Sequence, residues 1–167
     1  MKTLIAYYSL TGNADSVAQK IAQATKAELL KLKPQKDIKG GKVGFFKIFK
    51  GAMQALMKKT PKLENAPVDL AAYDKIVIGT PTWAGMIAPA VRSFLTFNKL
   101  DGKKVYLFAT AGSVNPGKVF SELRALLPAA EIVSEVMFVE PLNADIAKEK
   151  DPNAEQKLKS FIESVSK

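Results

Sequence analysis

Thr3-Leu4-Ile5-Ala6-Tyr7-Tyr8-Ser9-Leu10-Thr11-Gly12-Asn13-Ala14 begins as an unbroken apolar run and ends in a short polar loop. The apolar part is too short for a signal peptide and lacks a small-residue cleavage pattern, so it reads as a buried strand, about Thr3–Tyr8. From about Asn13 to Lys26, Val17, Ile21 and Ala24 recur at helical spacing. Strand, glycine-bearing loop and helix form the first half of a βαβ unit.

The rest of the chain repeats that rhythm. Further strands are expected at Ala27–Lys33, Lys75–Gly79, Lys104–Thr110 and Glu131–Glu140. Helices are expected at Val43–Lys59, Ala88–Phe97, Gly117–Leu127 and Pro152–Val165. Leu4-Ile5-Ala6-Tyr7, Ile76-Val77-Ile78 and Val105-Tyr106-Leu107-Phe108 are continuous apolar runs, as strands buried on both faces must be. The second strand alternates Leu30-Lys31-Leu32-Lys33, and the fifth is interrupted by Ser134 and Glu135, which marks both as edges. The expected fold is α/β: a doubly wound five-stranded parallel sheet of order 2-1-3-4-5, helices on both faces, in one domain over residues 1–167.

In such a sheet the ligand crevice lies beyond the carboxyl ends of the strands, where the winding reverses. Three loops meet that edge. The first, Ser9-Leu10-Thr11-Gly12-Asn13-Ala14, offers hydroxyls, a glycine and the amides of a helix start. Neutral donors and a helix dipole hold a phosphate without Lys or Arg. The loop is neither G-x-G-x-x-G nor a P-loop, which counts against a dinucleotide or ATP. An ordinary turn capped by Thr11 or Asn13 fits the same residues. The second loop is Gly79-Thr80-Pro81-Thr82-Trp83-Ala84-Gly85-Met86 and carries the only Trp of the chain. An indole there is either a half-buried packing residue or a wall for a planar ring. The third, Thr110-Ala111-Gly112-Ser113-Val114-Asn115-Pro116-Gly117, is small and polar, and alone reads as an ordinary loop.

The chain has neither Cys nor His. Disulfides, Cys/His zinc sites, thiol nucleophiles and histidine bases are excluded. Difficult chemistry would fall to a bound cofactor. No apolar run reaches the ~20 residues of a membrane span, so a cytoplasmic address is the default expectation. The net charge of +9 is confined to residues 31–62, which hold ten Lys and one acid, while the remainder balances fifteen basic against fifteen acidic residues. Arg is absent from that segment, which argues against nucleic acid as a partner.

Tyr8-Ser9-Leu10-Thr11-Gly12-Asn13 is similar to the FMN phosphate loop of the flavodoxin family, and Thr80-Pro81-Thr82-Trp83-Ala84-Gly85 resembles the second flavin loop of that family. The strand pattern matches over essentially the whole chain. The resemblance implies a flavodoxin-like fold and FMN as cofactor. It implies a phosphate held by Ser9, Thr11, Gly12, Asn13 and Ala14, a flavin ring flanked by Pro81, Thr82, Trp83, Ala84 and Gly85, and Thr110, Ala111, Gly112 and Ser113 on its further side. Three features depart from the family. Ala14, followed by Asp15, stands where a Thr is usual. The third loop lacks a covering Tyr, and the chain is basic where flavodoxins are typically acidic.

In Val43–Lys59, Lys47, Lys50, Gln54 and Lys58 form a polar stripe opposite Phe45, Ile48, Phe49, Ala52 and Leu56, with Phe46, Met53 and Met57 beside the stripe. A crossover helix with snorkelling lysines, a cover for the second flavin face, and a peripheral membrane or acidic-protein contact through residues 43–59 all fit. The favoured reading is an FMN electron carrier between redox protein partners. The alternative is an FMN-dependent reductase moving electrons from NAD(P)H to a quinone-like small molecule. The assembly is a monomer or homodimer.

Overall fold

A computed structural model describes residues 1–36 and 49–167 in full and residues 45–48 by backbone alone. The first residues of the helix expected at Val43–Lys59, and the side chains of Phe45, Phe46, Lys47 and Ile48, lie outside the described residues.

The apolar runs become the parallel strands β1 (Thr3–Tyr7), β2 (Glu28–Lys31), β3 (Lys75–Trp83), β5 (Lys104–Ala111) and β6 (Glu131–Val139), joined by a two-residue strand β4 (Met86–Ile87). The sheet order is β2-β1-β3-β5-β6, with β4 antiparallel to β3. The five long strands lie in the expected order, with β2 and β6 at the edges. Their centre is dry: Ile5, Ala6, Ile76, Val77, Ile78, Leu107, Phe108 and Ala109 are fully buried.

One face is covered by α1 (Asn13–Thr25) and α6 (Ala154–Ser166), through Val17, Ala18, Ile21, Phe161 and Val165 packed on Ile5, Val77 and Tyr106. On the other, α3 (Pro89–Phe97) and α4 (Val119–Leu126) pack Val91, Phe94, Val119 and Leu123 on Leu4, Ile76, Ile78 and Leu107. Helix α2 (Phe45–Leu56) lies against β3 and β4. A short helix α5 (Ala144–Lys150), capped by the Asn143 side chain, precedes α6 and was not expected.

Two expectations are corrected. The segment after Gly79 is not a loop: β3 runs on to Trp83 and returns as β4. Gly79 is the last residue of β3 with a partner in β1, so Pro81 sits where the strand has an open side and its missing N–H breaks no ladder there. Of the apolar face read on α2, the side chains of Phe45 and Ile48 lie outside the described residues and the rest departs from a sheet-covering face. Gly51 and Ala55 are buried, whereas Phe49 and Leu56 are exposed.

Candidate functional site

Strands β1, β3 and β5 end at one edge, and the three loops singled out in the sequence meet there. In the first, the Ser9 hydroxyl accepts a hydrogen bond from Gly12 N at 3.1 Å. Gly12 adopts φ 95°, a left-handed conformation suited to glycine, and opens α1 with no side chain capping the helix. Thr11 is exposed beside it and Ala14 is buried. The uncapped amides of this thirteen-residue helix are neutral donors that could hold an anion.

Asn13 is committed elsewhere. Its side-chain amide donates to Glu140 Oε2 at 3.1 Å, and its Oδ1 accepts from Leu142 N at 3.1 Å. It ties the first loop to the segment following β6, which leaves its backbone amide for an anion. Asp15 faces away from the loop: its carboxylate accepts from Tyr7 Oη at 2.7 Å, Gln19 Nε2 at 3.1 Å and Lys31 Nζ at 3.0 Å. Burial pushes this carboxyl up, but the hydrogen bonds from Tyr7 and Lys31 outweigh it and hold the group below its usual value. Burial, then the Asp15 hydrogen bond, raises the Tyr7 phenol well above its ordinary range.

The second segment is a β-hairpin. Ala84 and Gly85, at φ 51° and 75°, make the tight turn that projects Trp83 at the sheet edge. Behind it, Thr80 Oγ1 accepts from Ala88 N at 3.0 Å, and Glu122 Oε2 accepts from Ile87 N at 2.9 Å. Glu122 is itself paired with Arg92, and both side chains are largely buried. Gly85 O accepts from Lys118 N at 2.7 Å. A Cβ on Gly117 would stand 2.5 Å from Gly85 Cα, so the hairpin tip and the third loop touch backbone to backbone.

The Trp83 indole meets the Tyr8 ring edge-on, with centroids 5.5 Å apart. Beside it lies a cavity of about 270 Å³ floored by Tyr8, Pro34 and Pro89 and bordered by Lys36 and Lys59. In the third loop Thr110 is buried and Ala111 half-buried, while Gly112 and Ser113 are exposed.

The edge thus gathers the first loop, the Trp83 hairpin and the third loop. Glu140, which the sequence pattern places at the end of a strand, belongs to this edge as well. It sits at φ 43°, its Oε2 meets Asn13, and its Oε1 lies 3.3 Å from where a Gly112 Cβ would stand. No local signal marked it, because its place depends on pairing between distant loops. The edge also leaves one polar atom over: Thr82 Oγ1 is buried and has no hydrogen-bond partner among the described residues. A buried hydroxyl in that state calls for a ligand group. Together with the uncapped start of α1 and the indole, it fits a phosphate-bearing planar cofactor.

Fold and site together define a doubly wound α/β protein with a mononucleotide-type crevice at its switch point. The chain belongs to the flavodoxin family, whose profile, described as Flavodoxin, matches residues 2–153. It is 29% identical over 130 residues to NAD(P)H dehydrogenase (quinone) 3 of Rhizobium meliloti (strain 1021), a match covering 70% of this chain. The matched part is 56% of that protein, so the chain spans little more than half the length of this relative. Among solved structures it is similar to a flavoprotein in complex with FMN from Lactobacillus acidophilus NCFM, at TM-score 0.70 and 23% identity, covering 93% of this chain and 97% of the other. It is also similar to oxidised flavodoxin 2 from Bacillus cereus, at TM-score 0.57 and 21% identity, covering 98% and 97%.

Proposed function

We propose that this protein is an FMN-dependent oxidoreductase that takes electrons from a reduced nicotinamide nucleotide and passes them to a planar, quinone-type acceptor. The observation that carries this reading is the asymmetry of the site edge. Trp83 walls one side, whereas the third loop carries no aromatic ring and exposes Gly112, Ser113, Val114 and Asn115. A site walled on one side leaves room for a second planar molecule. The cavity beside Trp83, bordered by Lys36 and Lys59, adds cationic groups for phosphates or other anions. The likeness to NAD(P)H dehydrogenase (quinone) 3 supports the same reading.

FMN is the cofactor; when bound it accepts a hydride and returns electrons singly or in pairs. Ser9, Thr11, Gly12 and the first amides of α1 would hold its phosphate, Thr82 would donate to its polar edge, and Trp83 would wall its ring. An electron-rich indole disfavours negative charge on the ring beside it, so Trp83→Ala should raise the flavin potential. Anaerobic stopped-flow mixing of FMN-loaded protein with NADH and with NADPH tests the function. Rapid bleaching of the flavin band by either nucleotide is expected. Negligible bleaching by both would overturn the reading and leave an electron carrier between proteins. That second reading rests on the family alone, since the profile that matches residues 2–153 is described as Flavodoxin.

A further inference from the structure

Of the described residues of helix α2, the buried ones are small, Gly51 and Ala55. Among the described residues, the large apolar ones of α2 and the turn after it point outward: Phe49, Met53, Leu56 and Met57 are 56, 42, 54 and 60% exposed. They stand at i, i+4, i+7 and i+8, so they form one row along the outer face. A helix that merely covered the sheet would turn these residues inward. A continuous exposed apolar row marks a contact surface.

The border of the row is cationic. Lys50, Lys58, Lys59 and Lys62 are exposed, and the sequence holds no acid between Asp37 and Glu64. A second copy of this chain would set these lysines against their own counterparts. A protein partner is the poorer fit as well, since protein interfaces favour Arg and deplete Lys, and here every cation is Lys. A bilayer interface takes this pattern directly: apolar side chains enter the acyl boundary while lysine stems snorkel to the phosphates.

We propose that the outer face of α2 docks on an anionic lipid surface, with the Phe49, Met53, Leu56 and Met57 row at the acyl boundary and Lys50, Lys58 and Lys59 at phosphate depth. Gln54 and Lys59 belong to the rim of the cavity beside Trp83, so docking sets that cavity next to the lipid. Among the described residues no helix is long and apolar enough to cross a membrane, so the contact is peripheral.

The test is flotation of the FMN-loaded protein with vesicles of phosphatidylcholine, with and without phosphatidylglycerol. Binding to the anionic vesicles at least about tenfold tighter than to the neutral ones is expected. Met53→Ser with Met57→Ser should lower anionic-vesicle binding by about tenfold while FMN absorbance and thermal melting stay unchanged, since both residues are exposed. Lys50→Gln with Lys58→Gln should abolish the preference for phosphatidylglycerol. Equal binding to both vesicle types, absence of binding, or binding indifferent to the methionine pair overturns the proposal. So does a dimer in light scattering that the methionine pair dissolves, because the row would then belong to a second copy. Flotation reads lipid binding without any acceptor, so its failure leaves the oxidoreductase reading intact, and the reverse holds.

Discussion

Thr82 is the residue at which stability and ligand binding pull in opposite directions. Its buried hydroxyl has no partner among the described residues, and an unmet buried hydroxyl costs about 1–3 kcal/mol. Thr82→Val keeps the shape and removes the polar atom. The apo-protein should therefore melt higher, while FMN affinity measured by flavin fluorescence falls roughly tenfold. A variant that binds FMN as well as wild type would place the flavin away from Thr82. Gly117 is fixed by geometry instead. At φ 57°, and with a Cβ position 2.5 Å from Gly85 Cα, it cannot accept a side chain without parting the hairpin from the third loop. Gly117→Ala should cost about 1–3 kcal/mol in urea titrations. Asp15 sets an acid limit. Its carboxyl is held below its ordinary value of 3.8, so the stability it adds is complete above that pH and is lost as pH falls through the lower folded value. Asp15→Asn should flatten the fall in melting temperature below about pH 4. An unchanged acid limb would show that the Tyr7 and Lys31 bonds contribute nothing in solution.

Among elements, the Trp83 hairpin depends on support from two helices. Arg92 on α3 and Glu122 on α4 form a largely buried ion pair, and Glu122 also receives Ile87 N of β4. Removing one partner strands a buried charge, so Glu122→Ala should destabilise the fold by about 3–5 kcal/mol. Arg92→Leu with Glu122→Leu should recover most of that loss, because two apolar residues leave no charge behind. Denaturant titration of the three variants checks this, and equal losses for the single and double changes would deny the coupling. The strands themselves were readable from their apolar runs, because a parallel strand buried on both faces has almost no freedom of composition. The hairpin was not readable: Pro81 reads locally as a breaker, and only the absence of a β1 partner past Gly79 makes it harmless. The stripe of α2 was readable as a period, but a period does not say which side meets the sheet. Among the described residues it is Gly51 and Ala55 that are buried.

For the molecule as a whole, charge is concentrated where the fold brings little to neutralise it. The excess of +9 lies in residues 31–62, and the only ion pair from that segment among the described residues joins Lys31 to Asp15. Exposed cations act mainly on encounter, so reduction of the bound flavin by NADPH should slow as salt rises. Lys58→Gln with Lys62→Gln should flatten that dependence and leave FMN affinity unchanged, since the amides at the start of α1 are neutral donors. A salt slope identical to wild type would confine these lysines to solubility. The three segments of the site edge could be picked out in the sequence because each follows a recognisable apolar strand. Glu140 could not, since its role comes from Asn13 and Gly112, which lie far from it in the chain.

Trp83 is the chain's sole tryptophan, and it sits edge-on to Tyr8 at the site rather than in the core. The protein therefore carries a built-in optical gauge of one small region. Near-ultraviolet emission follows the hairpin, whereas far-ultraviolet ellipticity follows the sheet and helices. Usually those two signals are taken as interchangeable measures of unfolding. Here they watch different things. During denaturation, emission should change first if the hairpin opens ahead of the sheet, and the gap between the two midpoints measures how independently the site can breathe.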